Sequence, residues 1–170
     1  MQSLAESLRI GHGYDLHRLE PLAPAGAGRP LIVGGVHLES ERGPVAHSDG
    51  DALLHAVTDA LLSAAGLPDI GQLFPDTHPA NEARDSREFL KAAGSKVREA
   101  GWVVANIDAT VILEKPKLSP HKQAMRSNIA SALDIDASRV GVKGKTHEKV
   151  DAVGEWRAIE VHVVALLVRD

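Results

Sequence analysis

The sequence contains no cysteine, and this absence excludes disulfide bonds and thiolate metal ligands. A transition metal would therefore have to be held by histidine and carboxylate, and nine histidines are present. Long apolar runs are also missing, because no stretch approaches the ~20 residues that a membrane-spanning helix needs. The first ten residues lack the charged, apolar and small-residue regions of a signal peptide. We therefore expect a cytoplasmic protein without a membrane partner.

An excess of positive charge is likewise missing. The net charge is -4 and no long basic run occurs, so we expect no nucleic-acid partner. The chain has 170 residues, of which 44% are hydrophobic, and is long enough to bury one core. We predict a short N-terminal extension over residues 1–8, followed by a single domain over residues 9–170.

Strand-like and helix-like segments alternate along the chain. Strands are predicted over residues 7–17, 29–38, 101–113, 139–143 and 158–168, and helices over 50–65, 85–100 and 120–133. The alternation in the third strand places six apolar residues on one face: Val103, Ala105, Ile107, Ala109, Val111 and Leu113. The pattern predicts an α+β (mixed α/β) fold with a mixed four- to five-stranded sheet and helices packed on one face.

The predicted helix ends carry suitable residues. Gly66 and Gly101 stand where helices commonly stop, and Asp85 or Ser86 can cap the second helix. The first helix begins within AHSDGDALLH, residues 46–55, which is rich in histidine and aspartate.

A narrow polar stripe runs along the first predicted helix. It contains Asp51, His55 and Asp59, which lie opposite an apolar face, and we expect it to face outward. Taken alone, such a stripe is typical of a solvated helix surface.

A second element changes this interpretation. Asp15 and His17 are two residues apart in a strand-like run and project from the same face. With His55 they would form an Asp/His/His site whose open fourth position is typical of catalytic zinc. Because Asp-x-His pairs also occur by chance, the spacing alone leaves open whether a metal binds.

Four segments resemble the 2-C-methyl-D-erythritol 2,4-cyclodiphosphate synthase family in order and spacing. They are GHGYDLH (11–17), AHSDGDALLHAVTDALLSAAGLPDIGQLFPDT (46–77), KPKLSPH (115–121) and KTHEK (145–149), and the resemblance extends from Arg9 to Val168. It implies a homotrimer with active sites between subunits. It also implies a phosphorus-oxygen lyase of the non-mevalonate isoprenoid pathway. Such an enzyme closes 4-CDP-2-C-methyl-D-erythritol 2-phosphate into a cyclic diphosphate and releases CMP.

The resemblance also implies roles for single residues. Asp15, His17 and His55 match the family's zinc ligands, and Glu148 matches a ligand of a second ion, Mg²⁺ or Mn²⁺. His47 and Thr146 match catalytic residues of the family. His47 matches a residue that contacts the substrate phosphates, and Thr146 matches a residue opposite it that stabilises the transition state. A further phosphate contact is Ser48, and Asp59 matches a position that could orient a ligand histidine, a solvated carboxylate being the alternative. Without the resemblance, His47 and Glu148 would be ordinary loop and surface residues.

The remaining substrate contacts are carried over in four groups. The loop that receives cytosine through backbone groups matches Leu113, Glu114, Lys115, Pro116, Lys117, Leu118 and Ser119. A loop near the phosphates matches Lys145 and His147. The segment that contacts the hydroxyl groups of the ribose or methylerythritol matches Asp69, Ile70 and Gly71. The lid over the methylerythritol phosphate matches Phe74, Pro75, Asp76, Thr77 and His78. His78 stands where relatives commonly have aspartate.

The chain departs from the family after KTHEK. Ala152 stands where relatives have an aromatic residue, Glu155 where they have an arginine and His162 where they have a glutamate. The resemblance implies that these positions line a central channel of the trimer. An isoprenoid diphosphate in that channel is therefore in doubt. Two other functions stay open at this point, a zinc phosphohydrolase of small diphosphates and a non-catalytic trimeric nucleotide-binding module.

Overall fold

The computed structural model describes residues 4–75 and 78–170 as seven strands and six helices, with 3-10 turns at 79–81 and 137–139. The strands are β1 (Leu8–Pro21), β2 (Leu31–Val33), β3 (Val36–Leu38), β4 (Arg42–Pro44), β5 (Trp102–Ile112), β6 (Val140–Lys145) and β7 (Ala158–Arg169). The helices are α1 (Leu4–Ser7), α2 (Ala52–Ala65), α3 (Ile70–Leu73), α4 (Ser86–Glu99), α5 (Lys122–Leu133) and α6 (Asp151–Gly154). Within these described residues, no helix combines the length and apolar character that crossing a membrane requires.

Five strands form one mixed sheet in the order β4-β1-β7-β5-β6. β5 and β6 are parallel, and the other neighbours are antiparallel. The predicted mixed α+β architecture is confirmed, but the strand predicted over 29–38 is wrong. Gly34 and Gly35 have φ of 61° and 69°, so the chain reverses there, and β2 and β3 pair as a separate hairpin. The edge strand β4 takes the fifth place in the sheet instead.

A β-bulge shifts the phase of β5. Its pairing with β7 slips between Val104 and Asn106. Before the bulge, Trp102 and Val104 are buried, so the predicted inward positions of Val103 and Ala105 are wrong. After the bulge the prediction is confirmed, since Ile107, Ala109, Val111 and Leu113 are all buried.

One sheet face is covered by α2, which packs on β1 and β7. The backbones approach closely because two residues of β1 have no side chain. A Cβ added to Gly13 would lie 1.8 Å from the carbonyl oxygen of Ala56, and one added to Gly11 would lie 2.0 Å from that of Ala60. These glycines let α2 rest directly on the strand beside Asp15 and His17.

The opposite sheet face carries large apolar side chains that are exposed in the single chain. Ile10 is 73% exposed, and Tyr14, Leu16 and Val164 are between 47% and 49% exposed. They alternate with inward-facing residues along β1 and β7, as the period of two requires.

The ends of the main helices agree closely with expectation. α2 stops before Gly66, which is left-handed, and Asp85 caps α4 through the backbone N–H of Arg87. Asp51 differs from the prediction, because it is fully buried and not part of an outward stripe. Its carboxylate caps α2 at Leu54 and accepts the backbone N–H groups of Gly34 and Gly35. The start of α2 is thereby tied to the β2–β3 turn.

We expect Gly13→Ala to lower the free energy of unfolding by about 3 kcal/mol, because the new methyl group forces α2 away from β1. Urea denaturation followed by circular dichroism measures the change. The matched control is Gly144→Ala, whose added Cβ meets nothing closer than 3.4 Å. Equal stability of the two variants would contradict the proposed close approach.

Candidate functional site

Three side chains converge where β1 meets α2. Asp15 and His17 lie two apart on the helix-facing side of β1, and His55 lies one turn into α2. Asp15 Oδ2 is 2.9 Å from His17 Nε2 and 3.1 Å from His55 Nδ1. The two ring nitrogens are 3.4 Å apart. The sequence-predicted triad is therefore assembled within one chain.

The donor atoms of this triad suit a divalent metal ion. One ligand atom from each residue lies within 4.8 Å of the others. Ligands at ~2.0–2.1 Å from a tetrahedral ion are separated by about 3.3 Å, close to the spacing seen here. Two imidazoles and a carboxylate form a ligand set that leaves one coordination position for water or a substrate oxygen.

The electrostatics of the triad favour a negative carboxylate. Burial disfavours the charged form of Asp15, but hydrogen bonds and charge from His17 and His55 outweigh it and hold the pKa of Asp15 far below its usual range. Burial also opposes the charged form of His55, yet the hydrogen bond and charge of Asp15 prevail and raise the pKa of His55. Asp15 thus concentrates negative charge where a cation would bind.

The other ring nitrogen of His55 points away from the triad. His55 Nε2 lies 2.8 Å from Ser86 Oγ and 3.2 Å from Ser48 Oγ. The sequence predicts Ser48 as a phosphate contact, whereas it offers Ser86 only as a helix cap. Its position directly after Asp85, at the start of α4, was the available signal, but only the fold brings α4 to His55.

A cavity of about 370 Å³ opens beside His17 and His55. Its predicted lining residues are His47, Ser48, Ile70, Gly71, Phe74 and Pro75. Sequence reasoning missed three further lining residues, Ala46, Asn81 and Phe89. Asn81 Nδ2 donates to the carbonyl oxygen of Pro75 at 2.9 Å, and the rings of Phe74 and Phe89 are 4.8 Å apart. These contacts hold Phe74 and Pro75, at the start of the predicted lid segment, against the cavity wall.

Asp59 holds the neighbouring segment in place. Its Oδ1 accepts the backbone N–H of Ile70 at 2.8 Å, so Asp59 positions the start of α3. An orienting role toward a ligand histidine stays a prediction. Burial raises the pKa of Asp59, against the effect of this hydrogen bond. Asp69 caps α3 through Gln72 and lines an adjacent cavity with Asp59.

The rest of the predicted lid is only partly described. His78 is exposed, and its backbone N–H donates to Pro75 at 3.1 Å. Predicted contacts Asp76 and Thr77 lie outside the described residues.

A second cavity, of about 150 Å³, lies at the ends of β5 and β6. Lys145 and Thr146 line this cavity. The predicted cytosine loop supplies six further lining residues, which are Leu113, Glu114, Pro116, Lys117, Leu118 and Ser119. Glu114 Oε2 is buried and has no hydrogen-bond partner among residues 4–75 and 78–170. Lys115 instead lies over the Trp156 ring, 5.3 Å from its centroid.

The two cavities are separate within one chain. β1 and β6 are separated in the sheet by β7 and β5, a lateral distance of about 14 Å at ~4.8 Å per strand. The turn after β6 carries the other predicted residues, Glu148, which is exposed, and His147, whose Nδ1 is 3.0 Å from Asp151 Oδ2. Neither Thr146 nor Glu148 lines the cavity of the triad in a single chain.

The three departures after KTHEK have their own local partners. Glu155 pairs with Arg157, and Ala152 lines a cavity with that arginine. On the open sheet face, His162 is 2.8 Å from Glu160 Oε1 and 3.3 Å from His12 Nε2.

Comparison with known proteins agrees with this geometry. The model of the YgbB family matches residues 8–168. The chain belongs to the YgbB family. Proteins with similar sequences include 2-C-methyl-D-erythritol 2,4-cyclodiphosphate synthases. That of Aromatoleum aromaticum is 55% identical over 161 residues, covering 95% of this chain and 94% of the relative. The chloroplastic enzyme of Catharanthus roseus is 54% identical over 163 residues, covering 96% of this chain, which spans 66% of the plant protein.

Solved structures of similar proteins share the fold. The structure of IspF from Plasmodium falciparum with CDP superposes with a TM-score of 0.83 at 36% identity, over 96% of this chain and 97% of that one. The bifunctional IspDF of Campylobacter jejuni gives a TM-score of 0.88 at 44% identity over 96% of this chain, which spans 42% of that protein.

We expect His55→Ala to weaken binding of a divalent transition metal by more than about 100-fold, because loss of a direct ligand exceeds the 10–100-fold effect of an outer partner. Competition with a chromophoric chelator measures the dissociation constant. His37→Ala is the control, since His37 is exposed on β3. Unchanged metal affinity in His55→Ala would contradict the assignment.

Proposed function

We propose that this chain is a 2-C-methyl-D-erythritol 2,4-cyclodiphosphate synthase of the non-mevalonate isoprenoid pathway. The Asp15/His17/His55 triad carries the proposal, because its two histidines line a cavity in a chain whose relatives bear that name. The substrate is 4-CDP-2-C-methyl-D-erythritol 2-phosphate. Its 2-phosphate oxygen forms a bond to the β-phosphorus, and the bond from that phosphorus to the bridging oxygen of CMP breaks. The enzyme is therefore a phosphorus-oxygen lyase.

The proposed reaction needs no nucleophile from the protein. The attacking oxygen belongs to the substrate, so the protein must position two phosphates and offset their repulsion. His47 and Ser48 line the cavity beside the triad and would hold phosphate oxygens there. Thr146 would face them from the opposite side and stabilise the charge of the transition state.

Two metal ions fit the proposed chemistry. Zinc would be held by Asp15, His17 and His55 and would supply Lewis-acid polarisation of the β-phosphate. A second ion, Mg²⁺ or Mn²⁺, would be held through Glu148 and would neutralise the α- and β-phosphates. Oxygen ligands of this kind suit these harder cations.

The nucleotide is assigned to the second cavity. The Leu113–Ser119 loop lines most of it, Lys145 also lines it, and His147 follows two residues later in the chain. Backbone groups of the loop would read cytosine. The buried Glu114 Oε2 supports a ligand that brings a hydrogen-bond donor, because an unpaired buried acceptor is costly. At the cavity of the triad, Ile70 and Gly71, together with Asp69 from the adjacent cavity, would contact the hydroxyl groups, and Phe74 to His78 would form the lid.

The separation of the two cavities supports a homotrimer in which one chain supplies the triad and its neighbour supplies the nucleotide loop. The exposed apolar side chains of the open sheet face are available for such an assembly. Heterologous contacts repeated around a threefold axis close into a ring. We keep a cytoplasmic location as a prediction, although plant relatives are chloroplastic.

We expect this protein to convert 4-CDP-2-C-methyl-D-erythritol 2-phosphate into a cyclic diphosphate and CMP in the presence of Zn²⁺ and Mg²⁺. Phosphorus NMR of the reaction mixture identifies the products, and chelation should abolish turnover because the triad then loses its cation. A linear monophosphate product would instead indicate a zinc phosphohydrolase. Binding of CMP without turnover would indicate a nucleotide-binding module.

We expect two weak variants to complement each other if the active site lies between subunits. His55→Ala and Thr146→Ala each damage a different half of the site, so a mixed trimer contains some complete sites. After subunit exchange at equal concentrations, about one quarter of the sites should be intact. Activity of the mixture, compared with each variant alone, measures this. Activity equal to the mean of the two variants would rule out a shared site.

A further inference from the structure

His55 uses its two ring nitrogens on opposite sides. Nδ1 faces Asp15 and His17, whereas Nε2 faces the start of α4. A metal ion on Nδ1 requires the form of the ring that carries its proton on Nε2. The group that accepts this proton therefore affects how well His55 binds the metal.

Ser86 is the nearest partner of Nε2. It is the first residue of α4, is fully buried, and has its Oγ 2.8 Å from Nε2. Behind it lies Asp49, whose Oδ1 contacts Ser86 Oγ and whose Oδ2 accepts the Ser86 backbone N–H at 2.9 Å. Two contacts between the same pair of residues fix their relative orientation.

The chemistry of the three groups sets the direction of the hydrogen bonds. An ionised carboxylate can only accept, so the Ser86 hydroxyl donates its proton to Asp49. The oxygen of Ser86 then offers only lone pairs to His55 and accepts the Nε2 proton. Asp49 Oδ1 also accepts the backbone N–H of Asp51 at 3.1 Å, which holds the carboxylate in place.

Ser48 is a weaker candidate for the same role. Its Oγ is 3.2 Å from Nε2 and also accepts the backbone N–H of Gly50 at 3.2 Å. In contrast with Ser86, no carboxylate contact orients its hydroxyl among the hydrogen bonds of the described residues.

We propose that Asp49 and Ser86 form a relay that holds His55 in its Nε2-protonated form and so presents the Nδ1 lone pair to the metal. Ser86 is a positioning residue, which acts through His55 and needs no contact with substrate. The inference rests on the proposed function, since it requires a metal ion at the triad. Carboxylate partners of ligand histidines act in this way, and here a serine hydroxyl is inserted between the two.

The relay also links metal binding to α4. Asp49 lies in the loop before α2, and its backbone N–H donates to the carbonyl oxygen of Arg84 at 3.2 Å. The loop that carries His47 and Ser48 is therefore joined to α4 through both backbone and side chain. We therefore expect substitutions of Ser86 to weaken metal binding more than nucleotide binding.

Removal of the Ser86 hydroxyl tests the relay. We expect Ser86→Ala to raise the zinc dissociation constant about 10–100-fold, measured by chelator competition, because Nε2–H loses its acceptor. In the zinc-loaded protein, the slowly exchanging Nε2–H signal of His55 in ¹H–¹⁵N NMR should disappear. Ser86→Thr keeps the hydroxyl and should retain both the affinity and the signal.

Two controls separate the relay from general damage. Ser95→Ala makes the same change at a half-buried position further along α4, where the hydroxyl donates to the carbonyl oxygen of Lys91, and should leave zinc binding unchanged. If Ser86→Ala does not fold, Asp49→Asn tests the same chain of bonds and should also weaken zinc binding. Wild-type affinity in Ser86→Ala, with the Nε2–H signal retained, would overturn the relay and leave the proposed function standing. Absence of zinc binding in the unmodified protein would overturn both.

Discussion

The contact between the backbones of β1 and α2 is the constraint on which the site depends. Asp15 and His17 are fixed by the strand and His55 by the helix, so their distances follow from how closely the two elements pack. Gly11 and Gly13 allow that approach because any side chain would overlap the helix backbone. Three polar groups therefore meet beside a tightly packed core, where rigid elements and not loops hold them in position.

The sequence could predict those features that depend on interactions between residues close together in the chain. The helix ends near Gly66 and Asp85, and the pairing of Asp15 with His17, follow from local periodicity and capping, and the structure agrees with them. The hairpin at Gly34–Gly35 and the bulge near Ala105 were missed, because a two-residue turn and a one-residue slip barely change the apolar pattern. Both depend on pairing with distant strands.

The same limit applies to the candidate site. The triad could be predicted because each member lies in a regular element whose geometry is known in advance. Asp51 shows where such reasoning stops, because a carboxylate on a polar helix stripe is usually solvated. The carboxylate of Asp51 instead caps α2 and accepts the backbone N–H groups of the β2–β3 turn. Ser86 could not be found in advance, because nothing local brings residue 86 to residue 55. Its place depends on the packing of α4 against α2.

The layout of the chain between β1 and β2 has a consequence for variation among relatives. Residues 22–30 form a long surface connection whose base is closed by the bridge between Leu22 and Gly28, and none of them lines either cavity. Because the entropy cost of a longer closed loop grows slowly, this segment can gain or lose residues with little effect on the fold. Differences in length are best accommodated there, since the segments 46–50 and 113–119 carry contacts that an insertion would displace.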